Sequence, residues 1–251
     1  MIIKTLEKYR TISLDEMASV RLMNRVDTKF VTTKNILGKL LESAIGDYRV
    51  QMIGNVCILP YSTLYFDTDI CSMYLEHLHG HKKRQKIRIR SYVSSGLSFL
   101  EIKDKNNKGR TSKKRIQCQM FSDDKCLDFI TNFSRYDYLD LQQQVENKFD
   151  RITLVNNQMT ERVTIDSNLK FHNFKTDECC HMKDLVIIEV KTNSPKNSQL
   201  LKLLRELRVF PSSFSKYCIG MSMTNPDIKH NRFKPILLKL KKHNQIVHWK
   251  I

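Results

Sequence analysis

Charged and apolar side chains alternate with a two-residue period from Arg84 to Lys105, RQKIRIRSYVSSGLSFLEIKDK. Arg84, Lys86, Arg88 and Arg90 share one parity, and Ile87 and Ile89 take the other. After a Ser-Ser-Gly turn, Glu101, Lys103 and Lys105 stand against Leu100 and Ile102. Successive strand side chains point to opposite faces. The pattern therefore predicts a hairpin with one apolar face and one densely charged face. The same signature recurs at Arg25, Asp27 and Lys29, which alternate with Val26 and Thr28. Residues 147–155 and 160–169 predict a second hairpin around Asn156-Asn157, with Arg151 on its first strand and Arg162 and Asp166 on one face of its second. In 184–193, Val186, Ile188 and Val190 form one face and Ile187, Glu189 and Lys191 the other. Lys113 and Arg115 share a face of a further strand, in which Ile116 and Cys118 do not alternate cleanly with them. Strands are also expected at 48–53 and 56–67.

Helical signals lie between these strands. Ser13 and Glu16 form a capping box, which predicts a short helix ending near Met23. Ile36, Leu40, Leu41 and Ile45 recur at helical spacing before Gly46. Asp67 or Asp69 is placed to cap a helix through Tyr74 to His79, closed by Gly80. Further helices are expected over 123–146 in two pieces, over 197–208, and in the SSFSKYCIGM segment. Together the elements predict an α+β chain: a closed antiparallel β-barrel of about eight strands decorated by helices. Residues 1–225 would form the barrel domain and 226–251 a basic, helical tail. In that tail, packing of Leu237, Leu238 and Leu240 against the barrel competes with an amphipathic membrane-binding role.

Composition sharpens the picture. Lys and Arg number 43 against 26 Asp and Glu, a formal net charge of +17, which predicts a polyanionic partner. The 41% hydrophobic content suffices for a folded core. Seven cysteines without a CxxC pair point to reduced thiols. The polar N-terminus and the lack of a run of about 18 apolar residues point to a cytoplasmic location. His77, His79 and His81 read as surface histidines at a helix end and turn.

On the charged faces the cations Arg25, Lys29, Arg88, Arg90, Lys103, Lys113, Arg115, Arg151, Arg162 and Lys191, joined by Lys216, outnumber the acids Asp27, Glu101, Asp166 and Glu189. Unpaired buried charge costs several kcal/mol per ion. A chain of phosphates would neutralise such a set, with Arg gripping oxygens bidentately and Lys adding point charges. The carboxylates would hold a divalent metal or orient the cations; for Glu101 and Asp166 orientation is the favoured role, Asp166 fixing Arg162 or a turn. A nucleic-acid partner is disfavoured, because aromatic stacking platforms are not interleaved with the basic positions.

The ordered motifs SxLYFDT, RxKIRIRSY, FLEIKxK, F-x-R (149–151), RVTIDxNLxF, IIEVK and FSKY resemble the VTC (vacuolar transporter chaperone) polyphosphate polymerase domain. That domain is a branch of the CYTH or triphosphate tunnel metalloenzyme superfamily. The resemblance spans roughly Arg25 to Gly220. It implies a tunnel barrel that transfers the γ-phosphoryl group of ATP onto a growing polyphosphate chain and releases ADP. By motif, Lys29, Arg88, Arg90, Lys103, Arg151, Arg162 and Lys216 would bind phosphates, and Glu189 would bind manganese or magnesium. One further basic contact would come from Lys113, Lys114 or Arg115. Two departures stand out: Ser213 occupies the position of a family lysine, and Arg25, Asp27 and Lys29 replace the E-x-E-x-K strand of the triphosphatase branch. The second favours polymerase over hydrolase. The SPX domain and membrane helices of fungal members are not found in this sequence, so a stand-alone catalytic module is expected, with any membrane partner a separate protein. A triphosphatase and a non-catalytic polyphosphate-binding module are the alternatives.

Overall fold

The computed structural model describes residues 2–18, 25–108, 110–242 and 247–250. Its strands are β1 (Arg10–Ile12), β2 (Val26–Thr33), β3 (Tyr48–Gln51), β4 (Leu59–Asp67), β5 (Arg84–Tyr92), β6 (Leu97–Lys105), β7 (Thr111–Gln117), β8 (Gln142–Asn156), β9 (Glu161–Asn173), β10 (Glu178–Met182), β11 (Leu185–Thr192) and β12 (Val247–Lys250). The expected α+β class with predominantly antiparallel pairing is present, with more strands than the eight or so expected. The chain divides into two compact units, and β8 and β9 contribute residues to both.

The first unit comprises 1–59, 150–169 and 183–214. Its strands run in the order β1-β3-β8-β9-β11-β2, antiparallel at β3–β8, β9–β11 and β11–β2 and parallel at β1–β3. Val186, Ile188 and Val190 of β11 are fully buried and join Phe30, Val163 and Ile165 in one core. The helix Lys34–Ser43 covers that core with Leu37, Leu40 and Leu41, whose spacing sets one apolar stripe. It begins where the sequence places it, with Thr33 accepting from the Ile36 N–H. The Ser13–Glu16 capping box also forms, both bonds present at 2.8 and 3.2 Å. The end of that helix, expected near Met23, lies outside the described residues.

The second unit comprises 60–149, 170–182 and 215–251, with strand order β12-β10-β9-β8-β4-β5-β6-β7. Ile87, Ile89, Leu100 and Ile102, the apolar parity of the opening hairpin, pack with Phe66, Cys126, Phe129 and Ile130. Leu64 and Ile116 pack against the same core, so β7 alternates after all. The helix expected over 123–146 stops at Phe133, and a strand starts at Gln142. The glutamine run of 142–144 suits a helix, but tertiary pairing overrides propensity. Gln144 carbonyl accepts from Phe174 N–H, and Asn147 Nδ2 donates to the Lys170 carbonyl.

Three further expectations change. Cys118 and Cys126 are joined in a disulfide, because the turn after β7 carries the helix Asp124–Phe133 back beside the strand end. Cys57, Cys71, Cys179, Cys180 and Cys218 are free. In the helix Lys234–Lys242, Leu237 and Leu240 are buried, whereas Leu238, one position round the helix, is exposed. The tail also ends in a strand, β12, paired with β10.

Candidate phosphate-binding site

In the second unit, Arg88 of β5, Glu101 of β6 and Arg115 of β7 lie in register across three strands, and Lys86, Lys103 and Lys113 form the next row. Glu101 is completely buried and Arg88 nearly so. Oε2 of Glu101 accepts from Arg88 Nε and Nη2 at 2.8 and 2.5 Å, and Oε1 accepts from Lys113 Nζ at 2.9 Å. Burial alone would raise the Glu101 carboxyl, but Arg88, Arg90 and Lys113 outweigh it and hold it well below the usual carboxylate range. Glu101 thus bonds Arg88 and Lys113, where the sequence reading offered Lys103 or an arginine as its partner. The structure also settles the β7 register. Lys113 and Arg115 share the Glu101 face, while Lys114 turns away with its ammonium 3.6 Å from the Phe133 ring centroid.

Aromatic rings hold several of the remaining cations. Arg88 lies 6.0 Å from the Tyr65 ring centroid, Arg115 lies 4.8 Å from that of Phe99, and the Lys216 ammonium lies 3.3 Å from that of Phe149. Arg90 Nε reaches Thr63 Oγ1 at 3.4 Å. Lys216 opens the helix Lys216–Thr224, capped by Ser215, whose hydroxyl also accepts from Lys86 Nζ at 2.8 Å.

Asp67 plays a larger part than helix capping. It is fully buried and accepts from the backbone N–H groups of Thr68, Met73 and Tyr74 and, at 2.5 Å, from the Tyr217 hydroxyl. Burial nevertheless raises its carboxyl. The LYFDT and SKY motifs are therefore bonded to each other, which fixes the backbone next to Lys216. Sequence reading missed this link because 150 residues separate the two groups.

In the first unit, β2, β11 and β9 lie side by side with Asp27, Lys191 and Arg162 in one row and Lys29, Glu189 and Thr164 in the next. Glu189 Oε1 accepts from Lys29, and Oε2 accepts from Lys191 at 2.8 Å. The same Lys191 ammonium reaches Asp27 Oδ2 at 2.9 Å, and Asp27 Oδ1 takes Arg25 Nε at 2.9 Å. Burial would raise Glu189, but Lys29 and Lys191 hold it well below the usual range. Asp166 grips Arg151 through two bonds of 2.6 and 2.8 Å, which corrects the expectation that it fixes Arg162. The two arginines differ in reach: Arg151 sits on β8, the strand beside β9, so its fork can meet Asp166 in parallel, whereas Arg162 shares a strand with Asp166 four residues away. Arg162 is half-buried and makes no ion pair at bonding distance among the described residues, while Asp27 and Glu189 act on it from farther off. Its guanidinium is lowered by burial and then by Arg25.

The donor chemistry of this row suits a hard divalent cation. Glu189 and Asp27 offer carboxylate oxygens that converge on one ammonium, and Mg²⁺ or Mn²⁺ takes such oxygens together with those of phosphates. Histidines add nothing to either set. His77, expected at the surface, is half-buried with Nδ1 2.9 Å from Cys218 Sγ. Among the described residues, the side chains grouped closely enough to chelate a metal without rearrangement are Cys118, Asp123 and Cys126, the first and last being the disulfide pair. No helix among the described residues is long and apolar enough to cross a membrane.

Solved structures share this fold at low identity. A candidate adenylate cyclase from Bacillus halodurans is 13% identical, covering 77% of this chain and 96% of its own, with a TM-score of 0.51. HpAC1 from Hippeastrum, a candidate adenylyl cyclase described as having a dominant triphosphatase activity, is 13% identical, covering 82% of this chain and 99% of its own, with a TM-score of 0.53. A curated ATP-dependent RNA helicase candidate, R366 of Acanthamoeba polyphaga mimivirus, is 28% identical over 140 residues, 50% of this chain. The match spans 8% of that relative's length.

The solved structures share with this chain an α+β fold built on an antiparallel sheet with flanking helices. The chain belongs to the VTC family: the VTC domain model matches residues 24–225.

Proposed function

We propose that the protein is a polyphosphate polymerase, an ATP-polyphosphate phosphotransferase. It transfers the γ-phosphoryl group of ATP onto the end of an inorganic polyphosphate chain and releases ADP. The observation that carries this reading is the charge balance on the two faces. Asp27, Glu101, Asp166 and Glu189 are each satisfied by a lysine or arginine, and cations remain beyond them, Arg162 among these. Such a surface suits a poly-phosphorylated ligand that brings its own negative charge. The VTC family match supports a polymerase within the wider tunnel class.

The reaction needs little covalent help. A terminal phosphate oxygen of the chain attacks the γ-phosphorus, and the bond from that phosphorus to the β,γ-bridging oxygen breaks, leaving ADP. Positioning and charge neutralisation supply most of the catalysis in phosphoryl transfer. Arg88, Arg90, Lys103 and Lys216 of the second unit, with Arg88 preset by Glu101, and Arg162 of the first would each hold phosphate. Arg25, Lys29, Lys113, Arg115, Arg151 and Lys191 would bind the nucleotide and the product chain. A Mn²⁺ or Mg²⁺ ion held by Glu189, with Asp27 beside it, would neutralise phosphate oxygens when bound. Lys29 and Lys191, which now take the Glu189 oxygens, would then turn to phosphate. A cytoplasmic location would supply ATP as the donor, and a separate membrane protein would receive the chain.

The triphosphatase reading draws support from the activity ascribed to HpAC1. Incubation of the protein with ATP and Mn²⁺ or Mg²⁺ separates the two. Long-chain product with stoichiometric ADP supports the polymerase; orthophosphate release without chain growth supports the hydrolase. Tight polyphosphate binding with neither product would reduce the protein to a binding module.

A further inference from the structure

A second concentration of positive charge lies in the second unit, built partly from residues beyond the family match. Arg84 begins β5 and pairs in register with Lys105 at the end of β6. Like charges directly opposite one another in a sheet are destabilising. Arg232 approaches the same corner from the 3₁₀ turn Asn231–Phe233, outside the matched residues 24–225. Its guanidinium is seated on Gly80: a Cβ there would lie 2.2 Å from Arg232 Nη1, and Gly80 has φ +79°. A glycine is thus required both by the backbone and by the arginine above it.

None of Arg84, Lys105 and Arg232 has a carboxylate within ion-pair distance among the described residues. Arg84 Nη1 donates only to the His81 carbonyl, and nearby Glu76 is paired with Arg135 at 3.3 Å. Mutual proximity shows in the protonation of the neighbours. Arg84 is lowered by burial and in part by Arg232, and Lys105 by burial and then Arg84. His77 is brought down to about 3 by burial followed by Lys86, Arg84, Arg232 and Lys105.

From the Arg84–Lys105 register pair, the absence of an ion-paired carboxylate for any of the three cations among the described residues and the seating of Arg232 on Gly80, we infer that this corner is an extension site for the distal part of a polyphosphate chain. Arg84 and Arg88 share the charged parity of β5 and are four residues apart, about 13 Å along the strand. A chain that fills the Arg88 face and also reaches Arg84, Lys105 and Arg232 needs more phosphoryl groups than one that fills the Arg88 face alone, so the site favours long chains over triphosphate. Inorganic polyphosphate is the occupant argued for because Arg84, Lys105 and Arg232 offer cationic donors suited to phosphate oxygens; the exposed rings of His79 and His81 flank Gly80, so a single-stranded oligonucleotide is the competitor in the test. The inference rests on the proposed phosphate-chain function but concerns residues that reading does not use.

The test is calorimetric titration of the full chain with tripolyphosphate and with long-chain polyphosphate, for wild type and for R84A/K105A/R232A. The expected result is tighter wild-type binding of the long chain, lost by about tenfold or more in the triple variant, with tripolyphosphate affinity unchanged. R84K/R232K, which keeps the charge, should retain most of the preference and shows that the loss is not misfolding. Equal affinity of wild type for both lengths, an equal loss for both ligands in the triple variant, or tighter binding of a single-stranded oligonucleotide than of polyphosphate would overturn the extension site. Failure of wild type to bind tripolyphosphate at all would instead remove the functional reading beneath it.

Discussion

Arg88 and Glu101 face each other across β5 and β6 and are joined through a single carboxylate oxygen, which accepts from both Nε and Nη2 of the guanidinium. The other oxygen serves Lys113. The arginine is thereby fixed by one edge, with Nη1 toward the Tyr65 hydroxyl at 3.5 Å. Removing one partner of a buried ion pair strands the other, at about 3–5 kcal/mol. Arg88→Ala should therefore cost stability of that order in urea unfolding, besides abolishing phosphate binding. Arg88→Ala/Glu101→Leu should recover a large part of the stability but none of the binding. A double variant as unstable as the single one would show that Glu101 is not the group left stranded.

The pH dependence follows from the same carboxylates. Glu101 and Glu189 are held below the ordinary carboxylate range by their cations, after burial is overcome. A depressed folded-state value means that the unfolded chain binds the proton more readily. Their stabilisation is thus present above the unfolded value of about 4.3 and is lost as pH falls below it. Asp67, raised by burial, acts in the opposite sense and gains relative stability on acidification. The two lowered groups outweigh the one raised, so urea midpoints should fall between about pH 6 and pH 3. Glu189→Gln should flatten that fall; an unchanged slope would argue against the carboxylate's depressed value.

Arg162 offers a contrast. It is half-buried, sits beside Lys191 in the register and makes no ion pair at bonding distance among the described residues. Arg162→Ala should change stability by less than about 1 kcal/mol, while weakening tripolyphosphate binding by about tenfold. Denaturation and titration on the same sample check both halves of the prediction. A large stability loss with intact binding would assign the residue to the scaffold instead.

Gly220 lies in the helix Lys216–Thr224, where its Cα approaches the buried ring of Phe171; an added Cβ would meet Phe171 Cδ1 at 2.6 Å. Alanine is the better helix former by about 1 kcal/mol, but overpacking a buried ring costs about 1–3 kcal/mol. Gly220→Ala should lower the melting temperature, and Phe171→Leu in the same chain should relieve part of the loss. A rise in melting temperature for the single variant would mean that the ring yields freely.

Strand alternation alone determined much of this protein: it put Ile87, Ile89, Leu100, Ile102, Val186, Ile188 and Val190 in the core and the charges of the same strands on the other parity, because the pleat imposes that division locally; it did not decide that Val26 is exposed or that Ile187 is buried on the Glu189 side. The capping box at Ser13 and the Thr33 helix start were legible for the same reason, their bonds spanning three residues. Only the tertiary structure decided which charges meet. It gave Asp166 to Arg151 rather than Arg162, turned Lys114 away from Lys113 and Arg115, bonded Asp67 to Tyr217 and drew a strand from the glutamines at 142–144. Those outcomes depend on which strand lies beside which and in what register, and register is set by packing between distant segments that no local pattern encodes.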